Sequence, residues 1–243
     1  MMDHNKWMNM GGFVYSSGTT GPAKRVYQPP EKLVAANRVA VESQFITADS
    51  RVLTVCRMSH AGGALAQTLP ALCIGADVRI EKFNPYTFLD RVKKFTHTHL
   101  TPDHCRAIMG TKGWRRAELD GLWVTCGSDA ITWDMVEQFV ERGATFMTNW
   151  GMSECGPIAI NSTYTDLDKV KQHKEMTPED CTIMGDTHYF STGVKINPDE
   201  SFMLVAGDIT SEGKEKVYLH TNDVVTLVEG VYYYRGRYNT KSS

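Results

Sequence analysis

No two cysteines lie at CxxC spacing, although the chain holds six: Cys56, Cys73, Cys105, Cys126, Cys155 and Cys181. Their spacing suits neither a zinc knuckle nor a secreted disulfide scaffold, so buried thiols in a reducing compartment are expected. No apolar run is long enough to cross a bilayer. The longest weakly polar stretch, Ala61 to Val78, is interrupted by Gln67, Thr68, Pro70 and Asp77. Residues Met1 to Met10 lack the apolar core of a secretory leader, so a cytoplasmic location is expected. Charge excess is also missing: 26 Lys and Arg against 28 Asp and Glu give a net charge of −2. That balance argues against nucleic acid or a polybasic membrane patch as partner, and leaves room for a small local anion site.

What is present is the composition of a globular protein, with 243 residues, 42% hydrophobic and 22% charged. A chain of this length buries a core without disulfides or metal. From residue 11 to about 155, short β-like runs alternate with helical ones. Phe13–Tyr15, Arg51–Val55, a strand ending at His99-Leu100, Leu122–Val124 and Ala144–Met147 read as strands. Helices are expected from Pro29-Pro30 to Gln44, over Pro85–Phe95, from Thr101-Pro102, and over Thr132–Glu141 with Thr132 as cap. This rhythm predicts an α/β fold, a mostly parallel sheet with flanking helices.

The pattern changes after Gly156. Tyr164–Asp180 is dense in charge without a strong apolar face, and reads as an exposed helix-and-loop insertion or a mobile connection. Beyond Thr187 the chain is β-rich: His188–Phe190, Phe202–Val205, Lys216–Leu219, Val224–Val228 and Val231–Tyr234, with Glu229-Gly230 as a hairpin turn. The expected organisation is an α/β subdomain over 1–160, a charged connection over 161–186, and a small antiparallel β lobe over 187–243.

The sharpest local feature is Tyr15-Ser16-Ser17-Gly18-Thr19-Thr20-Gly21-Pro22-Ala23-Lys24. Gly18 and Gly21 permit tight bends that converge backbone N–H groups on an anion. Ser16, Ser17, Thr19 and Thr20 add hydroxyl donors, and Lys24 adds a flexible cation. The glycine spacing is that of neither a Walker A loop nor a dinucleotide fingerprint. Taken alone, such a run is as often a surface loop as a phosphate site.

The run resembles the phosphate loop of the adenylate-forming superfamily, which includes acyl- and aryl-CoA synthetases, luciferases and peptide-synthetase adenylation domains. It departs from the usual form at Pro22-Ala23, where the family has x-Pro, and at Arg25, where it has Gly. Further resemblances follow in order. Arg57–Gly63, with His60, is similar to the family's His motif, and Ala76–Val78 follows it. Val124–Ala130 is similar to the strand and loop against adenine, with Gly127 and Ser128. Thr148-Asn149-Trp150-Gly151-Met152-Ser153-Glu154 resembles Tyr-Gly-x-Thr-Glu. His220–Asp223 resembles Tyr-x-Thr-Gly-Asp, and Tyr234–Arg237 resembles Tyr-x-Gly-Arg.

The resemblance implies ATP-dependent activation of a carboxylic or amino acid as its acyl-adenylate, with release of pyrophosphate and with Mg²⁺ as cofactor. It implies that Ser16–Gly21 and Lys24 cradle phosphates, that Ser153 donates to the α-phosphate, and that Glu154 holds Mg²⁺. Trp150 would stack on adenine where the family has Tyr, and Asn149, Gly151 and Met152 would complete that nucleotide wall. Asp223 would accept the ribose hydroxyls, Arg237 would donate to ribose or phosphate, and His60 would shape the carboxylate end. Each side chain has a plainer reading in isolation: Glu154 as a solvated acid, Trp150 as a core aromatic, Asp223 as a turn residue, Arg237 as a surface charge. His97 and His99 share a strand face with no third ligand at a metal-binding spacing, and Cys126 and Cys155 read as packing.

The resemblance covers nearly all of this chain and about half of a full family member. The first α/β subdomain and the mobile C-terminal domain, which carries a catalytic Lys, are expected to be missing. The pocket walls of the first subdomain would come from a homodimer, or a shorter substrate would need fewer of them, and a separate protein would supply the C-terminal domain. A nucleotide-binding pseudoenzyme or a subunit of a split synthetase is the alternative to an active compact enzyme. Asn222 stands where the family has Gly, at a turn that asks for positive φ.

Overall fold

A computed structural model describes residues 2–16, 23–189, 194–196, 202–206 and 218–237. The chain opens with α1 (His4–Met10), then a hairpin of β1 (Gly12–Tyr15) and β2 (Arg25–Gln28), then α2 (Pro30–Gln44) and β3 (Arg51–Thr54). Residues 61–73 are helical throughout, as α3 (Ala61–Gly63), a π-turn (Ala64–Thr68) and α4 (Leu69–Cys73). Next come β4 (Asp77–Ile80), α5 (Pro85–Val92), β5 (His97–Leu100), α6 (Pro102–Met109), a 3₁₀ turn (Lys112–Arg116), β6 (Trp123–Gly127) and α7 (Trp133–Val140). The rest is β7 (Thr145–Met152), β8 (Gly156–Tyr164), α8 (Leu167–Glu175), β9 (Thr182–Gly185), β10 (Thr187–His188), β11 (Val194–Ile196), β12 (Phe202–Ala206), β13 (Tyr218–Val228) and β14 (Val231–Arg237).

The expected helices form where their termini are chemically marked. Pro30 opens α2, where a missing N–H is harmless. The Asn84 side chain caps α5 by accepting from the Tyr86 N–H, and Thr132 caps α7 by accepting from Met135. Thr101 and His104 close a reciprocal capping box on α6.

The helices flank a seven-stranded sheet of order β10-β8-β7-β6-β5-β3-β4. The β4-β3-β5-β6-β7 block is parallel, and β8 and β10 add antiparallel strands at one side. A second, antiparallel sheet has the order β11-β12-β13-β14-β9. The α/β body with a mostly parallel sheet and a smaller antiparallel sheet is therefore observed. The two sheets share a core: Phe146 of the large one, with Phe139 of α7, lies in the same cluster as Ile183, Val231 and Tyr233 of the small one. Segments also cross over at the join, since β9 belongs to the small sheet and the following β10 to the large.

Several details differ from expectation. The two runs Lys216–Leu219 and Val224–Val228 are one strand within the described residues, β13, with an irregular register between Val224 and Val225. Lys216, Val217 and Phe190 lie outside those residues. The charged 164–180 segment holds a real helix, α8, which is capped by Asp166 and buries Val170 and His173. Of the thiols, Cys105, Cys126 and Cys155 are buried, Cys56 and Cys181 are half-buried and Cys73 is exposed. Cys73 ends α4, where the helix surfaces. Glu229 and Gly230 have φ of 48° and 85° between the paired Val228 and Val231, the two-residue turn that right-handed strand twist favours. Among the described residues no helix is long and apolar enough to cross a membrane.

Candidate functional site

The site lies where the parallel strands end. At the phosphate loop, Ser16 and Lys24 pinch the neck: the Ser16 N–H donates to the Lys24 carbonyl, and the Lys24 N–H donates to Ser16 Oγ, both at 2.9 Å. Ser17, Gly18, Thr19, Thr20 and Gly21 lie outside the described residues. The Lys24 side chain is exposed. On the other side of the neck, the Tyr15 N–H donates to the Ser59 carbonyl at 2.8 Å, and Tyr15 bridges to His60. The phosphate loop and the His motif are thus stitched together by backbone. Partial burial and the neighbouring Arg57 hold His60 below its ordinary pKa, in the neutral form.

Gly127 ends β6 beside Asn149 of β7. A Cβ on Gly127 would sit 2.4 Å from the Asn149 carbonyl oxygen, so only glycine lets the two strands close here. Ser128 follows with φ of 81°, turning the chain away from the sheet. Asn149 is buried, and its amide donates to the Pro157 carbonyl at 2.8 Å. Its Oδ1 is buried with no hydrogen-bond partner among the described residues.

Trp150, Asp223 and Arg237 form one polar junction between the two sheets. The Trp150 indole N–H donates to Asp223 Oδ2 and the Arg237 Nε–H to Asp223 Oδ1, each at 2.9 Å. Asp223 is 2% exposed. Burial raises its pKa, while Arg237 and the Trp150 hydrogen bond oppose the rise. Each carboxylate oxygen keeps a further lone-pair direction for another donor. Asn222 before it has φ of 60°, the conformation anticipated from its replacement of a glycine, and the Asp223 N–H is held by Thr221 Oγ1 at 3.1 Å.

Between these parts lies the turn from Gly151 to Glu154. Gly151 is in close approach to β8, since a Cβ would sit 2.3 Å from the Pro157 carbonyl oxygen. Met152 and Glu154 are half-buried and Ser153 is buried. The turn is held from behind by two residues that the sequence had not marked. Gln28 Nε2 donates to the Ser153 carbonyl at 2.8 Å, and Lys32 Nζ donates to the Ser153 and Glu154 carbonyls at 2.9 and 2.5 Å. A cation in the first turn of a helix was the available sign, because the helix dipole disfavours it there.

Among the described residues no group of three or more His, Cys, Asp or Glu could hold a metal. Glu154 is a single, partly accessible carboxylate. That donor set fits a hard cation such as Mg²⁺ that takes its other oxygens from phosphates and water, and no metal held by protein side chains alone. Cys126 and Cys155 are buried beside the site. Burial lifts Cys155 to about 12 and Cys126 well above the ordinary thiol value, so neither is a nucleophile.

The chain is 30% identical over 149 residues to an indoleacetate–CoA ligase of Aromatoleum aromaticum, covering 60% of this chain and 29% of that one. It is 29% identical over 149 residues to a feruloyl-CoA synthase of Amycolatopsis, covering 59% and 30%. The ATP-bound structure of MatB from Rhodopseudomonas palustris superposes with a TM-score of 0.72 at 19% identity, over 93% of this chain and 47% of that one. The inhibitor-bound N-terminal domain of FACL13 from Mycobacterium tuberculosis gives 0.75 at 14% identity, over 94% and 62%. The chain therefore spans under a third of those curated relatives and about half of MatB. The family model for AMP-binding enzymes matches residues 5–188, and the chain belongs to that family.

Proposed function

We propose that this chain binds ATP and adenylates a carboxylic acid. What supports the proposal is a chain of contacts between sequence-distant groups: Gln28, on the strand that leaves the phosphate-loop neck, bonds to the Ser153–Glu154 turn, and Trp150 just before that turn bonds to Asp223, which Arg237 also holds. Open α/β sheets bind ligands outside the carboxyl ends of their strands, where these groups meet.

In the reaction an acid carboxylate oxygen attacks the α-phosphorus, and the bond to the bridging oxygen of pyrophosphate breaks. The protein's task is positioning and charge neutralisation rather than covalent chemistry. Lys24 and the loop it closes neutralise the β- and γ-phosphates. Ser153 donates to the α-phosphate. Glu154 holds Mg²⁺, which supplies charge neutralisation along the triphosphate. Trp150, pinned at its N–H edge by Asp223, keeps a ring face for adenine. Asp223 receives ribose hydroxyls on its remaining lone pairs, and Asn149 Oδ1 accepts from the base. Neutral His60 borders the acid.

The names of several matched relatives speak of indoleacetate, feruloyl and 2-succinylbenzoate groups, each with an aromatic ring, while two others name only an acyl-CoA synthetase and a CoA ligase. We assign an aromatic carboxylic acid as the substrate class on that basis. A second reading is a partner-dependent form, in which another protein or a second copy of the chain contributes to the site. Acid-dependent ATP–pyrophosphate exchange, with pooled aromatic, aliphatic and amino acids and a Lys24→Ala, Asp223→Ala control, tests both. Exchange above the control supports the compact enzyme. ATP binding without exchange supports the partner-dependent form, and absence of both refutes adenylation.

A further inference from the structure

We propose that Lys32 is a positioning residue for catalysis, holding the Ser153–Glu154 turn in the geometry that ATP and Mg²⁺ require; this rests on the adenylation proposal above. Lys32 sits in the first turn of α2, directly after the Pro29-Pro30 entry. Two physical rules oppose a lysine there. The N-terminal end of a helix carries partial positive charge and repels cations. Burial of an ammonium is unfavourable unless its donors are satisfied, and Lys32 is only 4% exposed. The side chain nevertheless points inward, and its Nζ reaches two consecutive backbone carbonyls 121 and 122 residues away.

Those carbonyls belong to the two residues whose side chains have the most exacting work in the site. Holding both Ser153 O and Glu154 O fixes two successive peptide planes and so aims the Ser153 hydroxyl and the Glu154 carboxylate. Gln28 takes the second lone pair of the Ser153 oxygen, and it stands on β2, the strand that leaves the phosphate loop. Lys32 and Gln28 therefore couple the far side of the phosphate-loop hairpin to the Ser153–Glu154 turn. The ammonium also acts at short range on Cys155, the next residue along. Lys32 donates to backbone, touches neither reactant in this scheme, and acts through Ser153 and Glu154.

The test compares Lys32→Met, Lys32→Arg and Gln28→Leu with wild-type protein. Charge-assisted hydrogen bonds to carbonyls are the strong ones, so Lys32→Met is expected to raise the Mg²⁺ concentration for half-maximal ATP–pyrophosphate exchange by about tenfold. It is also expected to speed amide hydrogen exchange in residues 150–156 of the ligand-free protein. Lys32→Arg should recover most of the Mg²⁺ response, and Gln28→Leu should give a smaller shift in the same direction. A Lys32→Met protein that loses thermal stability but keeps the wild-type Mg²⁺ requirement overturns the proposal, because a structural lysine gives that result. If Lys32→Met does not fold, a wild-type Mg²⁺ response in Gln28→Leu overturns it equally. A wild-type protein with neither exchange nor Mg²⁺-dependent ATP binding refutes adenylation itself, a different outcome from a silent variant of an active protein.

Discussion

The two sheets meet the candidate site by different means. The large sheet is packed from both faces: Leu100, Val124 and Phe146 of its central strands are wholly buried. Its strands carry Gly127, Asn149 and Trp150 to fixed places because close-packed neighbours leave no alternative arrangement. The small sheet packs on the large one through two clusters, with Ile183, Val231 and Tyr233 in one and Met184, Val225 and Tyr232 in the other, and leaves Leu227 47% exposed. It brings Asp223 and Arg237 to the site through hydrogen bonds at a single buried carboxylate. Packing sets both sheets, and polar contacts at Asp223 add the final placement of the small sheet's site residues. The first kind of precision is lost only with the fold, whereas the second can be removed while the fold survives.

The largest effects should expose the shared core. Phe146→Ala is expected to destabilise the protein by about 3–5 kcal/mol, read from denaturant unfolding. Tyr233→Ala should fall in the same range, since Tyr233 is fully buried and its hydroxyl also donates to the His173 carbonyl at 2.9 Å. A loss below about 1 kcal/mol there would mean that the small sheet does not share the core and would break the comparison. Asp223→Asn comes next: ATP affinity should fall by about tenfold in titration calorimetry, as a charge-assisted acceptor becomes neutral. Its thermal midpoint at pH 8 should be no lower than wild type.

The sign of that last expectation follows from burial. The folded pKa of Asp223 is raised, so its contribution to stability is full below the ordinary carboxylate value and is lost as pH rises through the raised value. Nucleotide binding should run the opposite way, weakening as pH falls through the raised pKa and the carboxylate gains its proton. Asp223→Asn should abolish both slopes. Smaller still, Trp150→Phe removes one donor to Asp223 and keeps a ring, with an expected loss of about 1 kcal/mol in stability or ATP binding. The finest test is Gly230→Ala at φ of 85°, where nothing crowds a new Cβ, so the expected loss of about 1 kcal/mol is purely conformational.

Local chemistry made much of this legible. Pro30, Thr101 and Thr132 mark helix starts in the sequence because caps act within a few residues. Asn222 signalled its positive φ by standing in a glycine's place. β8 was hidden because Gly156–Tyr164 is almost entirely buried and so lacks the alternation that marks a half-exposed strand. β9 was hidden for a related reason: Thr182–Gly185 is four residues long and takes its ladder partner among the described residues, β14, from far along the chain. In the site, the charged and aromatic residues stood out by type, whereas Gln28 and Lys32 act on backbone carbonyls, and only the cation's place in the first turn of α2 hinted at the role of Lys32.

That distant partner of β9 bears on the order in which the molecule is completed during synthesis. The parallel block of the large sheet and β8 are in hand once residue 164 has emerged from the ribosome. β9 then waits without a ladder until residues 231–237 follow it, because β14 is the strand it pairs with. Those same residues deliver Arg237 to Asp223. The Asp223–Arg237 contact therefore forms only after residue 237 is made, and a nascent protein halted before residue 231 would lack β14, its share of the common core and the Arg237 partner of Asp223.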